Sequence, residues 1–169
     1  MARKRFKEMN CAAAQALEQI GDWWTLLLVR EAFYGTTTFS QFEEQLGIAK
    51  NVLTERLSVL VAHGIMARER PKPGVDRYAY RLTKKGEALM PVLVALMQWG
   101  DRWVLGEDKA PLRIVDRRDK APIAHLSVTS ASGHVLTIED LRFRPGPGAN
   151  EATLERFQKA AYTRLPPDD

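Results

Sequence analysis

Between Lys50 and Ala62 the polar side chains recur at helical spacing. At roughly 100° per residue, Asn51, Thr54, Glu55, Ser58 and Ala62 share one side, with Lys50 on the first turn beside them. Leu53, Leu57 and Leu60 fall within about 60° of one another on the opposite side. Such a polar face is short and not bulky, so it can approach base edges closely. Asn and Thr can hydrogen-bond those edges, and Lys can reach a phosphate or a guanine. Arg56 lies nearer the apolar side, where it can contact DNA only obliquely and can instead support packing or pair with an acidic neighbour. An ordinary amphipathic helix has the same periodicity, so the surroundings decide what this face does.

Those surroundings carry positive charge in two short segments. Residues 1–10 hold four basic residues (Arg3, Lys4, Arg5, Lys7) against one acidic. Residues 68–85 hold seven (Arg68, Arg70, Lys72, Arg77, Arg81, Lys84, Lys85) against two. From Gly106 onward ten basic residues balance ten acidic ones, and the rest of the chain is net acidic. The 169 residues together carry a formal charge of only +4, with a pI near 9.3. Basic patches in a near-neutral chain point to a polyanionic partner more strongly than a pI does. The other reading is a solvated face placed for solubility.

These residues need elements to position them. Cys11–Ile20 has apolar residues at helical spacing and ends at Gly21; Asp22 stands as N-cap to a second helix, Trp23–Tyr34, closed by Gly35. That second helix is apolar around most of its circumference and should be buried and central. Thr38-Phe39-Ser40 opens a short helix ending at Leu46-Gly47, and a third long helix runs from about Ala49 to His63 before Gly64. The period then changes to alternation over residues 65–70 and 77–82, flanking Pro71-Lys72-Pro73-Gly74, which reads as a β-hairpin with a basic tip. Thr83 caps a long helix predicted to reach about Val104. After Gly106 short strands are expected over 112–115, 123–128 and 134–138, with a rigid break at Pro145-Gly146-Pro147-Gly148. Asn150 then caps a last helix carrying Leu154, Phe157, Ala161 and Tyr162, which Pro166 ends. The fold class is therefore α+β and mainly helical, with residues 1–105 as one domain and 106–169 as a small β-rich extension with a terminal helix.

Several classes are excluded. No run of about 18 apolar residues could span a bilayer, and the basic N-terminus lacks the apolar core and cleavage site of a secretory signal, so the cytoplasm is the expected location. There is no G-x-S-x-G elbow, phosphate-binding Gly loop or H-E-x-x-H motif, and His63, His125 and His134 sit in no catalytic setting, so an enzyme is not expected. The single cysteine, Cys11, rules out an internal disulfide or multi-cysteine zinc site, and His125 with His134 alone cannot complete a tetrahedral one. No metal or cofactor is expected.

Helix, helix, short turn, helix and basic hairpin is the order of a winged helix-turn-helix. Cys11–Trp103 also resembles the HxlR-type family of bacterial winged-helix regulators. The matching residues are the early cysteine followed by Ala16-Leu17, then Gly21-Asp22-Trp23-Trp24-Thr25-Leu26-Leu27 leading to Arg30-Glu31, and Phe39-Ser40-Gln41-Phe42. Ile48, Val52-Leu53-Thr54-Glu55-Arg56-Leu57, Leu60, Gly64-Ile65, Tyr80-Arg81-Leu82-Thr83-Lys84-Lys85-Gly86 and Trp99-Gly100 continue them in order. The resemblance implies a homodimer, built by the N-terminal and post-wing helices, that binds double-stranded operator DNA and represses neighbouring genes. The expected DNA-binding residues are Ser40, Gln41, Lys50, Asn51, Thr54, Glu55, Arg56, Ser58, Arg68, Arg70, Lys72 and Arg77. The chain departs from the family pattern at Trp23 and Thr38, where a Lys and an Arg are usual, and at Ala49, where a Ser usually caps the recognition helix, a loss of roughly 1 kcal/mol. The acidic Glu55 and the two missing basic residues leave open a second class, a winged-helix dimer serving as a protein-interaction module. Cys11 has two readings, a redox-sensing thiol beside the basic N-terminal residues or a small apolar residue of the first helix packed against the partner subunit. Trp23, Trp24, Trp99 and Trp103 likewise either wall a pocket for a small-molecule effector or fill core and interface.

Overall fold

A computed structural model describes residues 6–70 and 78–158 of the chain. Its helices begin and end where the sequence places caps. Cys11, in extended conformation, precedes α1 (Ala12–Ile20), and Gly21 follows it. The Asp22 carboxylate accepts from the Trp24 amide at 3.1 Å and starts α2 (Trp23–Phe33). Thr38 and Gln41 form a reciprocal capping box on α3 (Phe39–Leu46), which Gly47 closes in the left-handed region at φ 59°. The Ala49 methyl cannot accept a hydrogen bond, so α4 (Lys50–Ala62) begins with no side-chain cap, as its sequence predicts.

The core lies where the predicted apolar faces converge. Leu28 and Val29 of α2, Phe42 of α3, Leu53, Leu57 and Leu60 of α4, and Ile48, Ile65, Met66 and Leu93 form one buried cluster. Each such side chain contributes about 1.5–3 kcal/mol of burial. Helix α2 packs on α3, α4 and the hairpin, the central position expected from its all-round apolar surface.

Strands β1 (Met66–Glu69) and β2 (Ala79–Leu82) pair antiparallel, Met66 opposite Leu82 and Glu69 opposite Ala79. A bridge between Ala79 and Thr38, with the Tyr80 amide donating to the Thr37 carbonyl at 2.7 Å, ties β2 to the residues that start α3. The wing is thus fixed to the helix-turn-helix by backbone hydrogen bonds. At its base, the Thr83 hydroxyl donates to the Gly64 carbonyl at 2.6 Å and accepts from the Gly86 amide, capping α5 (Lys84–Glu87). Gly86 is buried against the Ile65 carbonyl, which a Cβ would strike, and the same Cβ would lie 3.0 Å from Leu82 Cδ2. Lys85 Nζ donates to Gln19 Oε1 and the His63 carbonyl, each at 2.8 Å, joining α1 to the end of α4.

Two expectations need correction. The single helix predicted from Lys84 to Val104 is three pieces: α5, α6 (Met90–Gly100) and a π-helical turn over Asp101–Leu105. Pro91 explains the first break, because it has no N–H for the Glu87 carbonyl and its ring disfavours the helical continuation, whereas the first turn of a new helix accommodates it. The extension also holds less strand than its alternation suggests. Among the described residues it contains one bridge, Val115 with Pro122, and the two-residue strands β3 (Val128–Thr129) and β4 (Val135–Leu136). A side chain replaces a strand partner: Gln98 of α6 donates to the Ala124 carbonyl at 3.1 Å and accepts from the Leu126 amide at 2.8 Å. Helix α7 (Glu151–Gln158) is capped by Asn150, and its start is held by Asn10, which bonds the Gly148 carbonyl, the Asn150 amide and the Thr153 hydroxyl. Ala161, Tyr162 and Pro166 lie outside the described residues. No described residue beyond Val94 is buried.

Candidate nucleic-acid interface

Helix α4 presents Lys50, Asn51, Thr54, Glu55 and Ser58 to solvent and buries Leu53, Leu57 and Leu60, the division that the rotation predicts. Thr54 Oγ1 donates to the Lys50 carbonyl and Ser58 Oγ to the Thr54 carbonyl, each at 2.8 Å. With their protons so used, both hydroxyl oxygens offer lone pairs outward. Lys50 Nζ lies 3.8 Å from Glu43 and Glu55 3.6 Å from Arg56. Arg56 is turned away from this face. Its Nη2 is 3.4 Å from Oδ2 of Asp22, the residue that caps α2, and its Nε is buried without a partner. This is the pairing with an acidic neighbour that the position of Arg56 near the apolar side allows.

On α3, Ser40 and Gln41 are exposed. The Gln41 side-chain oxygen accepts from the Thr37 and Thr38 amides and the Thr38 hydroxyl, so the capping box engages the oxygen and leaves the NH2 group to act as a donor. In the wing, Arg68 Cζ sits 3.4 Å and Arg70 Cζ 5.2 Å from the Tyr78 ring centroid, and Arg70 Nη2 donates to the Tyr78 hydroxyl at 3.0 Å. Tyr78 was not singled out by the sequence pattern, although an aromatic residue in a strand opposite two arginines is the available signal. Stacking on its ring is worth about 0.5–1 kcal/mol at an exposed site and presents both guanidiniums as a pair. Arg81 pairs with Glu69 at 3.5 Å, and the Glu87 carboxylate raises the Lys84 pKa by accepting its hydrogen bond. Lys72 and Arg77 lie outside the described residues.

Cys11 stands at the N-terminus of α1 and is exposed in the single chain. Arg3, Lys4 and Arg5 lie outside the described residues. Trp24 packs partly buried against the core, but Trp23 is exposed, as are Trp99 and Trp103 at 58% and 66%. Among the described residues, cavities open between α1 and α5, between α6 and the extension, and between α2, α6 and residues 112–115, and no tryptophan lines these. The described residues form no cluster of three or more His, Cys, Asp or Glu suited to a metal, and no helix among them is long and apolar enough to cross a membrane.

A helix-turn-helix with a hydrophobic seam behind it, a polar outer face and an arginine-bearing wing defines a winged helix-turn-helix DNA-binding protein. Comparison with known proteins narrows the class. The profile described as HxlR-like helix-turn-helix matches residues 19–108. An uncharacterized HTH-type transcriptional regulator of Mycobacterium tuberculosis is 34% identical over 137 residues, 81% of this chain and 87% of the relative. Among solved structures, PA1607, a candidate transcription factor, is 40% identical with a TM-score of 0.78, covering 85% of this chain and all of its own. The redox regulator HypR in its reduced form is 30% identical with a TM-score of 0.52, covering 56% of this chain and 97% of its own. The chain belongs to the HxlR-like helix-turn-helix family and is a transcriptional regulator with a helix-turn-helix DNA-binding domain. The span shared with PA1607 is too long for the winged domain alone and includes part of the extension.

Proposed function

We propose that the chain acts as a homodimeric repressor, each protomer placing α4 in a major groove of operator DNA with its wing on the flanking phosphates. The observation that carries this reading is the outer face of α6 and the turn after it. Val92, Leu96, Trp99 and Trp103 recur at heptad-like spacing and are exposed, while Leu93 and Val94 face the core. An apolar stripe of this kind needs a partner, and a second copy of the same helix buries it symmetrically. Residues 1–105 are then the DNA-binding and dimerisation unit, and 106–169 an appendage with no buried core of its own among the described residues. Such a regulator works in the cytoplasm beside its DNA, and an effector or thiol modification tunes its affinity.

Fluorescence anisotropy on the chain's own promoter fragment, with sedimentation of the complex, tests the reading. Two protomers per site and affinity that falls steeply with salt are expected; a monomeric complex or no promoter binding refutes it. Reversing Arg70, Lys72 and Arg77 to Glu abolishes regulation in cells if DNA is the partner, whereas unaltered regulation would favour the protein-interaction module. The exposed Cys11 supports thiol control: diamide is expected to release DNA, and a Cys11→Ser protein that still releases would exclude it.

A further inference from the structure

The last turn of α2, one edge of α6 and residues 112–115 line a cavity of about 370 Å³ that is partly open to solvent. That lies at the lower end of the range of roughly 300–1,000 Å³ in which small molecules bind. Phe33, Leu93, Val94 and Met97 make its interior apolar, and no acidic residue lines it. Two guanidiniums do. Arg30 is hydrogen-bonded to the buried Glu31 and rests 5.8 Å from the Tyr34 ring centroid, so its charge is already matched. Arg113 has no hydrogen bond, ion pair or ring contact among the described residues. The adjoining cavity of about 240 Å³ shares Met97, Leu112, Arg113 and Ile114 with this one, but Asp101 and Glu107 also line it and disfavour an anion there.

We propose that the α2–α6 cavity binds a small apolar molecule bearing one carboxylate, with its ring or chain against Leu93, Val94 and Met97 and its carboxylate on Arg113. Apolar walls beside an exposed cation with no protein partner among the described residues favour this class, because a carboxylate gains a charge-assisted hydrogen bond that the matching alcohol cannot, and a polar anion gains nothing from the walls. The extension thereby acquires a role, supplying a cation with no protein partner beside Arg30, whose charge Glu31 already matches. Helix α2 joins the cavity to the recognition helix, since Leu28 and Val29 pack in the same cluster as Leu53 and Leu57. As an effector site the cavity rests on the regulator reading; as a binding site it does not.

The test uses the full-length protein without DNA. Calorimetry with benzoate, phenylacetate and octanoate, each against the matching alcohol, is expected to show at least one acid binding saturably, one per protomer and roughly tenfold or more tighter than its alcohol. Arg113→Gln should remove that preference and Arg113→Lys keep most of it. In spectra of 13C-methyl methionine, the bound acid should shift Met97 and leave buried Met66 unmoved. No saturable binding up to about 10 mM, equal binding of acid and alcohol, an acid preference that survives Arg113→Gln, or an unshifted Met97 each overturns the proposal. Promoter release is measured separately, so a failure of DNA binding leaves this result standing and distinguishable.

Discussion

The arginine pair on Tyr78 allows a quantitative expectation. Each protomer presents Lys50, Arg68 and Arg70 as exposed cations on α4 and the wing, and neither Arg68 nor Arg70 pairs with a carboxylate among the described residues. Each phosphate neutralised adds about 0.9 to the steepness with which log affinity falls against log salt. Replacing Arg68 and Arg70 by Ala removes two contacts per protomer and four per dimer, so the slope should become shallower by about 3.6. Between 50 and 200 mM salt the variant should then lose about two orders of magnitude less affinity than the native protein does. Both residues are exposed, so the melting temperature should change little, beyond the roughly 0.5–1 kcal/mol of ring stacking. The assay is fluorescence anisotropy on a promoter duplex across five salt concentrations, with the Lys109→Ala, Arg117→Ala double variant in the extension as the charge-matched control. An unchanged slope in the double variant, or an equal change in the control, would refute the placement of the wing on phosphate.

Other expectations concern stability. Gly86→Ala drives a methyl into the Ile65 carbonyl and should cost roughly 2 kcal/mol, read as a fall of about 4–8 °C in Tm by calorimetry; an unchanged Tm would mean that this junction is loosely packed. Ala49→Ser should stabilise by about 0.5–1 kcal/mol, because Ala49 already holds the extended conformation of an N-cap (φ −63°, ψ 138°) and a hydroxyl there can accept from the Asn51 or Val52 amide. Denaturant midpoints for the two proteins decide it. Asp140 accepts from the Thr137 amide at 2.7 Å and hydroxyl at 2.8 Å, and these bonds hold its carboxyl below the ordinary aspartate range. Its contribution is therefore complete above that range and is lost as pH falls through the depressed value, so the 137–140 turn should open only below about pH 4. The Thr137 amide followed by NMR titration should report that opening, and Asp140→Asn should abolish its dependence on this carboxyl.

Much of the winged domain was legible because its signals are local. Asp22, Thr38 and Gly47 each act within one helical turn, so α2 and α3 could be bounded from residues a few positions apart. The Leu53, Leu57 and Leu60 seam needs only helical periodicity, and its complement on α4 follows from it. The break before α6 was also present in the sequence as Pro91, but the apolar period running from Leu89 to Trp103 masked it. The extension was harder to read. Its alternating residues do not pair chiefly with one another, because the Gln98 side chain and Asn10 satisfy backbone groups that a strand partner or a packed neighbour would otherwise meet.

By itself, then, the sequence determined the order of elements, the buried seam of α4 and the two basic segments, since all three depend on spacing along the chain. Tertiary structure decided which of those charges remain available. Arg56 is drawn to Asp22, 34 positions earlier, and Arg30 to its neighbour Glu31, while Arg68 and Arg70 converge on Tyr78 across the hairpin. Arg113 is left unmatched beside an apolar cavity whose other walls come from α2 and α6. A side chain's charge is written in its residue type, but whether that charge is spent depends on which distant residue the fold brings within a few ångströms of it.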